Sequence, residues 1–382
     1  MAELPRRRTG RRRRRTHRAA RTTGSSFAKW YLDRLVMRLV VGGVCLVVAV
    51  VVGVLKGGRS SPATPAVDPP SFIAPRADGT PRPASASVRP ETVRDGSFLD
   101  ARQAHATRLK RRGPSPQGYE PDEVPPEGGE VVRYPSGERQ LMAWFAYPDP
   151  RPEGDCPAVV FCHGGFAFGA EDWDAAYPFL DAGFAVMMPT WRGENGNPGD
   201  FELFYGEVDD ARAAIRWLAS RSGIDRDRIA TFGHSAGGGV SALLSLYDEP
   251  AIWVTGSAGG LYAPETFEGW AEIVPFDPGD ETECRLRVLA GNQAEMKARH
   301  IAYVGEDDDG IAQDLPSFRE ETERTGAALT IVVIPGTDHY SSLEPALSAF
   351  AGDLERLRAG RWSPVEFSSG GGAFGGRFGS GR

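Results

Sequence analysis

The sequence predicts an α/β fold for residues 119–367: an eight-stranded, mostly parallel sheet with helices on both faces, preceded by one transmembrane helix. Three observations carry this expectation. Apolar runs of strand length alternate with longer segments of helical period, the order that builds parallel crossovers. The first two runs flank a Pro135-Ser136-Gly137 turn, which suits an antiparallel hairpin. One uncharged apolar run long enough to span a bilayer stands ahead of the rest.

Residues 1–34 form a basic tail. Up to position 38 the chain carries 13 Lys and Arg against two acids, Glu3 and Asp33; of its 44 basic and 51 acidic residues this leaves 31 and 49, a net of −18 beyond that point. The remainder repels polyanions, so nucleic acid is not an expected partner. Residues 35–57 contain the uncharged run LVVGGVCLVVAVVVGVL, which extends back to Leu35 if Arg38 snorkels to the interface. At ~1.5 Å per helical residue this reaches most or all of the way across a hydrocarbon layer ~30 Å thick. Arg6, Arg7, Arg8 and the run Arg11 to Arg15 precede it, and positive charge stays on the cytoplasmic side. The C-terminal bulk is therefore expected outside the cytoplasm, in the periplasm if the source is bacterial. A cleaved signal peptide has a shorter apolar core with a small-residue cleavage site, whereas Lys56, Gly57, Gly58 and Arg59 follow here. An Arg-rich tail also suits nucleic acid or anionic lipid, but directly before an apolar span topology is the simpler explanation.

Residues 58–118 are rich in Pro, Ser and Ala (PATPAVDPP, PRPASASVRP) and read as an extended tether, with room for a short helix around Phe98 to Leu109 that docks on the domain. Residues 368–382 read as a disordered, Gly-rich tail. Within the domain the expected strands are Val131 to Tyr134, Gln140 to Tyr147, Ala158 to Cys162, Phe184 to Met188, Arg228 to Phe232, Ile252 to Thr255, Ile301 to Val304 and Leu329 to Ile334. A helix from Glu207 to Ser220 places Val208, Ala211, Ile215 and Leu218 on one stripe, the spacing that covers a sheet face. Four cysteines, Cys45, Cys156, Cys162 and Cys284, are too few and too scattered for a disulfide scaffold or a zinc cluster, and no metal is predicted. Cys162 reads as a buried strand-end thiol. Cys156 and Cys162 sit too far apart on an extended segment to pair, while a bond from either to Cys284 stays open.

The strongest local signal is Gly233-His234-Ser235-Ala236-Gly237, a G-x-S-x-G with a strand before it and an Ala- and Leu-rich helix after it. Small residues two before and two after the Ser let a strained strand-to-helix turn close while the Ser oxygen projects freely. A serine hydroxyl needs a base, usually His. Of six histidines, His17 and His105 precede the domain, His163 and His234 sit in turn motifs with His234 expected to point away, and His300 leads into a strand. His339 remains, in the loop after the last strand. The base needs a carboxylate, and the acidic loop Gly305 to Ile311 offers Asp308, with Asp307 and Asp309 as alternatives. For the oxyanion, Ala236 supplies one N–H, and the loop His163-Gly164-Gly165-Phe166 a second, from Gly165 or Phe166.

These residues resemble an α/β-hydrolase and, more narrowly, the catalytic domain of the prolyl oligopeptidase family of serine peptidases. The similarity spans Val131 to Phe350 and rests on HGGF at His163, Trp191 to Gly196, Gly206 to Asp210, G-H-S-A-G-G at the nucleophile, the spacing Gly305-x-x-Asp308-x-x-Ile311, and Gly336 to His339. That spacing is a second reason for Asp308. The resemblance implies hydrolysis of peptide or ester bonds through an acyl-serine intermediate, without cofactor, on a small substrate. The family's β-propeller has no room here, and no pocket for a substrate amino terminus or a proline is identifiable. Peptidase and carboxylesterase readings therefore both stand. A non-catalytic binding module is disfavoured because all three triad members can be placed. The insertion 261–299, with Trp270 and Phe276, suits either a small cap or ordinary packing.

Overall fold

The computed structural model describes residues 97–361 except Ala271; the expected basic tail, transmembrane helix, most of the tether and the Gly-rich tail lie outside the described residues. Among the described residues no helix is long and apolar enough to cross a membrane. The chain enters through helix α1 (Phe98–Ala104), capped by the Ser97 side chain on the Asp100 N–H. Strands β1 (Gly129–Ser136) and β2 (Arg139–Ala146) form the expected hairpin, register Ser136 with Arg139. Then come β3 (Cys156–Cys162), α2 (Tyr177–Asp181), β4 (Ala185–Pro189), α3 (Gly206–Ala219), β5 (Ile224–His234), α4 (Ala236–Leu244) and β6 (Ile252–Ala258). The insertion carries α5 (Glu281–Arg285) and short 3₁₀ turns. It leads to β7 (His300–Gly305), α6 (Asp309–Ala312), α7 (Leu315–Thr325), β8 (Leu329–Ile334) and α8 (Leu343–Arg358).

All eight expected strands are present and join one sheet in the order β1-β2-β4-β3-β5-β6-β7-β8, antiparallel at the β1-β2-β4 edge and parallel from β4 to β8. Parallel strands are covered on both faces, which is why β3, β4 and β7 read as continuous apolar runs and are buried at every residue. One core cluster lies under α3 and α4, where Val208, Ala211, Ile215 and Leu218 form the expected stripe. The other, under α2 and α8, centres on Phe232, whose ring lies 4.9 Å from that of Phe350. Cys156, Cys162 and Cys284 are free and buried, so the pairing with Cys284 left open by the sequence is not made.

The N-terminal helix docks on the domain as the sequence allowed, and the segment departs from expectation in extent: the helix is shorter and the contact runs on through residue 118. Its helix stops at Ala104 rather than near Leu109, because the carbonyls of Arg102 and His105 accept from the Tyr205 hydroxyl and Thr107 and Arg108 turn to the Glu283 carboxylate. Residues 97–118, read as the end of the tether, lie against the domain. Phe98 is fully buried, and the Arg102 guanidinium donates to the carbonyls of Leu286 and Tyr205.

At the start of β7, His300 is fully buried, with Nδ1 2.8 Å from Thr255 Oγ1 and Nε2 2.8 Å from Ser257 Oγ. Burial pulls its imidazolium down from the ordinary 6.5 to about 3. The unfolded chain gains this proton near pH 6.5 and the folded one does not, so the site's contribution is intact above pH 6.5 and is lost as pH falls toward 3. Thermal melts from pH 7 to 4.5 should show a shallower acid decline for His300→Asn than for the unaltered chain. Equal slopes would remove His300 from that role.

Candidate active site

Ser235 sits between β5 and α4 at φ 53°, ψ −118°. Two glycines permit this turn. A Cβ at Gly233 would stand 2.1 Å from the Gly237 carbonyl oxygen, and one at Gly237 would stand 2.1 Å from that of Cys162 and 2.3 Å from that of His163. These neighbours are main chain and cannot swing aside. The Ser235 N–H donates to the Ala258 carbonyl at 3.1 Å, tying the elbow to β6.

The parallel strands end on one edge, so the loops after β3, β5, β7 and β8 meet there. His339 Nε2 lies 3.0 Å from Ser235 Oγ, and Nδ1 lies 2.8 Å from Asp308 Oδ2. Because the carboxylate only accepts, the proton sits on Nδ1 and the Nε2 lone pair faces the hydroxyl. Asp308 is buried, while Asp307 and Asp309 are exposed, so the structure brings Asp308 to His339. The His loop is shaped by Asp338, whose Oδ1 accepts from the N–H groups of Tyr340 and Ser341.

His234 does not point away, as expected from sequence. Its side chain is buried, and Nε2–H donates to the His339 carbonyl at 3.0 Å. Its Nδ1 would meet a Cβ on Gly164 at 3.1 Å, so the ring bridges the His339 loop and the loop after β3. Burial pulls it down to about 4, leaving it neutral through the physiological range.

The glycine loop rests on a buried ion pair. His163 places Nε2 3.1 Å from Glu194 Oε2 and Nδ1 3.0 Å from the Gly164 carbonyl. Both partners are acceptors, so the doubly protonated ring satisfies both. Burial opposes that charge, but Glu194 prevails and holds the imidazolium up at about 9. Of the two residues expected to offer the second oxyanion donor, Phe166 has its N–H committed to Gln117 Oε1 at 2.8 Å. Gly165, at φ +68°, is the remaining one, alongside the Ala236 N–H, which opens α4 and has no carbonyl one turn back.

A narrow cleft borders the elbow, walled by Phe166, Trp191, Phe201, Leu203, Phe204 and Val240 against Ala236 and Gly237. The insertion packs against two of these walls, with Trp270 edge-on to Phe166 and the Phe267 ring beside that of Phe204. Two of the wall residues, Leu203 and Phe204, hold positive φ of 53° and 64°. The reason is Glu207, whose carboxylate accepts from the N–H groups of Glu202, Leu203 and Tyr205. Burial, then the charge of Glu202, raises Glu207 to about 7. Arg192 holds the same loop, forked onto Asp210 at 2.8 Å and paired with Glu202. Sequence reasoning missed Gln117, His234, Glu194 and Glu207. Gln117 alone had no signal; Glu194, Glu207 and His234 lie in the segments Trp191 to Gly196, Gly206 to Asp210 and Gly233 to Gly238 that carry the resemblance.

A family model described as X-Pro dipeptidyl-peptidase (S15 family) matches residues 101–261. An uncharacterized protein of Mycobacterium tuberculosis is 32% identical over 158 residues, 41% of this chain and 54% of that protein, so the chain spans about half the length of this relative. An ethyl acetate hydrolase of Pseudomonas putida is 27% identical, covering 50% of this chain and 69% of that enzyme. Among solved structures, a puromycin-hydrolyzing peptidase of Mycobacterium tuberculosis superposes with a TM-score of 0.53 at 20% identity, over 64% of this chain and 42% of that one. That likeness speaks to the fold.

If His234 clamps the base, His234→Ala should lower kcat on the order of 10 to 100-fold, with Ser235 still labelled by a fluorophosphonate, only more slowly. An unchanged kcat would leave the ring a packing residue.

Proposed function

We propose that this chain is an α/β-hydrolase akin to the prolyl oligopeptidases, a serine hydrolase acting through an acyl-serine intermediate. The observation that carries the reading is the unbroken line of hydrogen bonds from Ser235 through His339 to Asp308, 3.0 and 2.8 Å long. In the first half-reaction His339 Nε2 takes the Ser235 proton as Oγ bonds to the substrate carbonyl carbon. The oxyanion forms against the N–H groups of Ala236 and Gly165. Asp308 stays ionised and stabilises the imidazolium through Nδ1–H. His339 then passes its proton to the leaving alkoxide or amine, and water repeats the sequence to free the acid and restore Ser235.

Between bond types, the cleft favours an ester with a compact apolar acyl group. Its walls are aromatic and aliphatic, and both carboxylates that reach it are committed. Glu194 serves His163 and the Trp191 N–H, and Glu207 serves three backbone N–H groups. The similarity to an ethyl acetate hydrolase supports this reading. A peptidase is the second reading, supported by the S15 family match. From the sequence we also infer that residues 35–57 anchor the chain, with the hydrolase domain outside the cytoplasm.

Ser235→Ala should abolish fluorophosphonate labelling, and Asp308→Asn should lower kcat by about 10³ to 10⁴-fold while labelling slows. Labelling that survives in Ser235→Ala would dismiss Ser235 as nucleophile. Turnover of short-chain p-nitrophenyl esters should exceed that of amides with Pro before the scissile bond, and the reverse order would select the peptidase. Protease added to intact spheroplasts should digest the domain, whereas protection would place it inside.

A further inference from the structure

The segment that brings the chain to the domain carries a residue with a place in the active centre. Residues 112–123 run along the two loops that edge the cleft. Arg112 pairs with Asp200, Gly113 N–H donates to the Asp200 carboxylate, and the Phe201 N–H donates to the Gly113 carbonyl at 2.9 Å. Ser115 N–H reaches the Gly193 carbonyl at 2.8 Å, and its hydroxyl donates to the Phe166 carbonyl. The Glu123 carboxylate accepts the Ala170 N–H at 2.7 Å. Between these anchors Gln117, half-buried, presents Oε1 to the Phe166 N–H at 2.8 Å. Its amide packs against Gly165, oxygen foremost: a Cβ there would meet Oε1 at 2.7 Å, Nε2 at 3.4 Å and Cδ at 3.5 Å.

The geometry points to Gln117 as a positioning residue for the oxyanion site: by holding the N–H and the carbonyl of Phe166, Gln117 and Ser115 fix the residue after Gly165, and with it the course of the loop that carries the Gly165 N–H. This rests on the serine-hydrolase reading above. Gly165 has a left-handed φ and no side chain to limit its rotation, so without an outside restraint the Gly165-Phe166 peptide is free to turn. A loop after a strand supplies no such restraint itself. Gln117 does so with a neutral acceptor, which leaves no charge beside the developing oxyanion. The consequence is that residues read from composition as tether complete the catalytic machinery.

The test uses the full-length chain. Gln117→Leu keeps the bulk and removes the acceptor; Gln117→Glu keeps the acceptor and adds a charge. For Gln117→Leu, kcat should fall on the order of 10-fold or more with KM changed less than about 2-fold. Affinity for a trifluoromethyl ketone transition-state analogue should fall by the same factor as kcat/KM. For Gln117→Glu, the activity relative to the unaltered chain should rise as pH falls and the new carboxyl takes a proton, a response that a residue serving only to hold the fold would not give. Ser115→Ala should repeat the Gln117→Leu pattern more weakly. Unchanged or raised kcat in Gln117→Leu, or a rise in KM alone, overturns the role. Fluorophosphonate labelling separates the two failures. Its absence in the unaltered chain overturns the serine-hydrolase reading and this one with it, whereas its presence with an indifferent Gln117→Leu overturns this one alone.

Discussion

The site depends on a contact between stretches of main chain. The first turn of α4 lies so close to the end of β3 that only a hydrogen fits on the Cα of Gly237, and β5 ends so close to α4 that the same is true of Gly233. Ser235 between them is held at a left-handed φ that costs a non-glycine residue on the order of 1–3 kcal/mol. The strain persists because its surroundings over-determine it: both flanking carbonyl contacts are rigid, and the Ser235 N–H is committed to β6. Sheet order supplies the rest. With β5 between β3 and β6, and β7 and β8 following in parallel, the loops bearing Gly165, Asp308 and His339 all emerge beside Ser235.

Loops, unlike strands, have no ladder to hold them, and here buried charge does that work. His163 with Glu194 braces the glycine loop, Arg192 with Asp210 and Glu202 braces the cleft wall, and Glu207 fastens the two residues of positive φ. The two ion-paired clusters contribute little net stability, since desolvation offsets most of the attraction, yet breaking one partner leaves a buried charge alone. Their value at this site is geometric. Each replaces the missing backbone ladder with a charge-assisted bond whose direction is fixed.

What the sequence revealed follows from which forces leave a periodic or chemical trace. Val208, Ala211, Ile215 and Leu218 announce α3 because burying one stripe requires that spacing, and the eight strands announce themselves as apolar runs for the same reason. Ser235 and His339 could be singled out because activating an alcohol demands those residue types at strand ends, while the choice of Asp308 over Asp307 and Asp309 leaned also on the spacing Gly305-x-x-Asp308-x-x-Ile311; the structure brings these three side chains together. His234 was misread because the side-chain direction of the residue before a nucleophile follows from the strained turn itself, which composition does not encode. Glu207 looked like an ordinary helix opening; its carboxylate turns back onto the preceding loop, and a side chain that accepts from backbone N–H groups leaves no pattern in sequence.

The segment 97–118 shows where reasoning from composition reaches its limit. Low hydrophobicity argues that a stretch cannot form a core of its own, and that argument holds here, for only Phe98 and Arg102 of α1 are buried within it. It does not follow that the stretch stays free. A chain can be ordered by a core it did not build when its polar groups meet main-chain partners already fixed. Burial would raise the Glu283 carboxyl, but the Arg108 N–H and the Arg287 guanidinium draw it down to about 2, so the ion pair that fixes the insertion also fastens the incoming segment. The boundary of a folded unit is set by where the chain's hydrogen bonds find partners, and by that measure it lies well before the first strand.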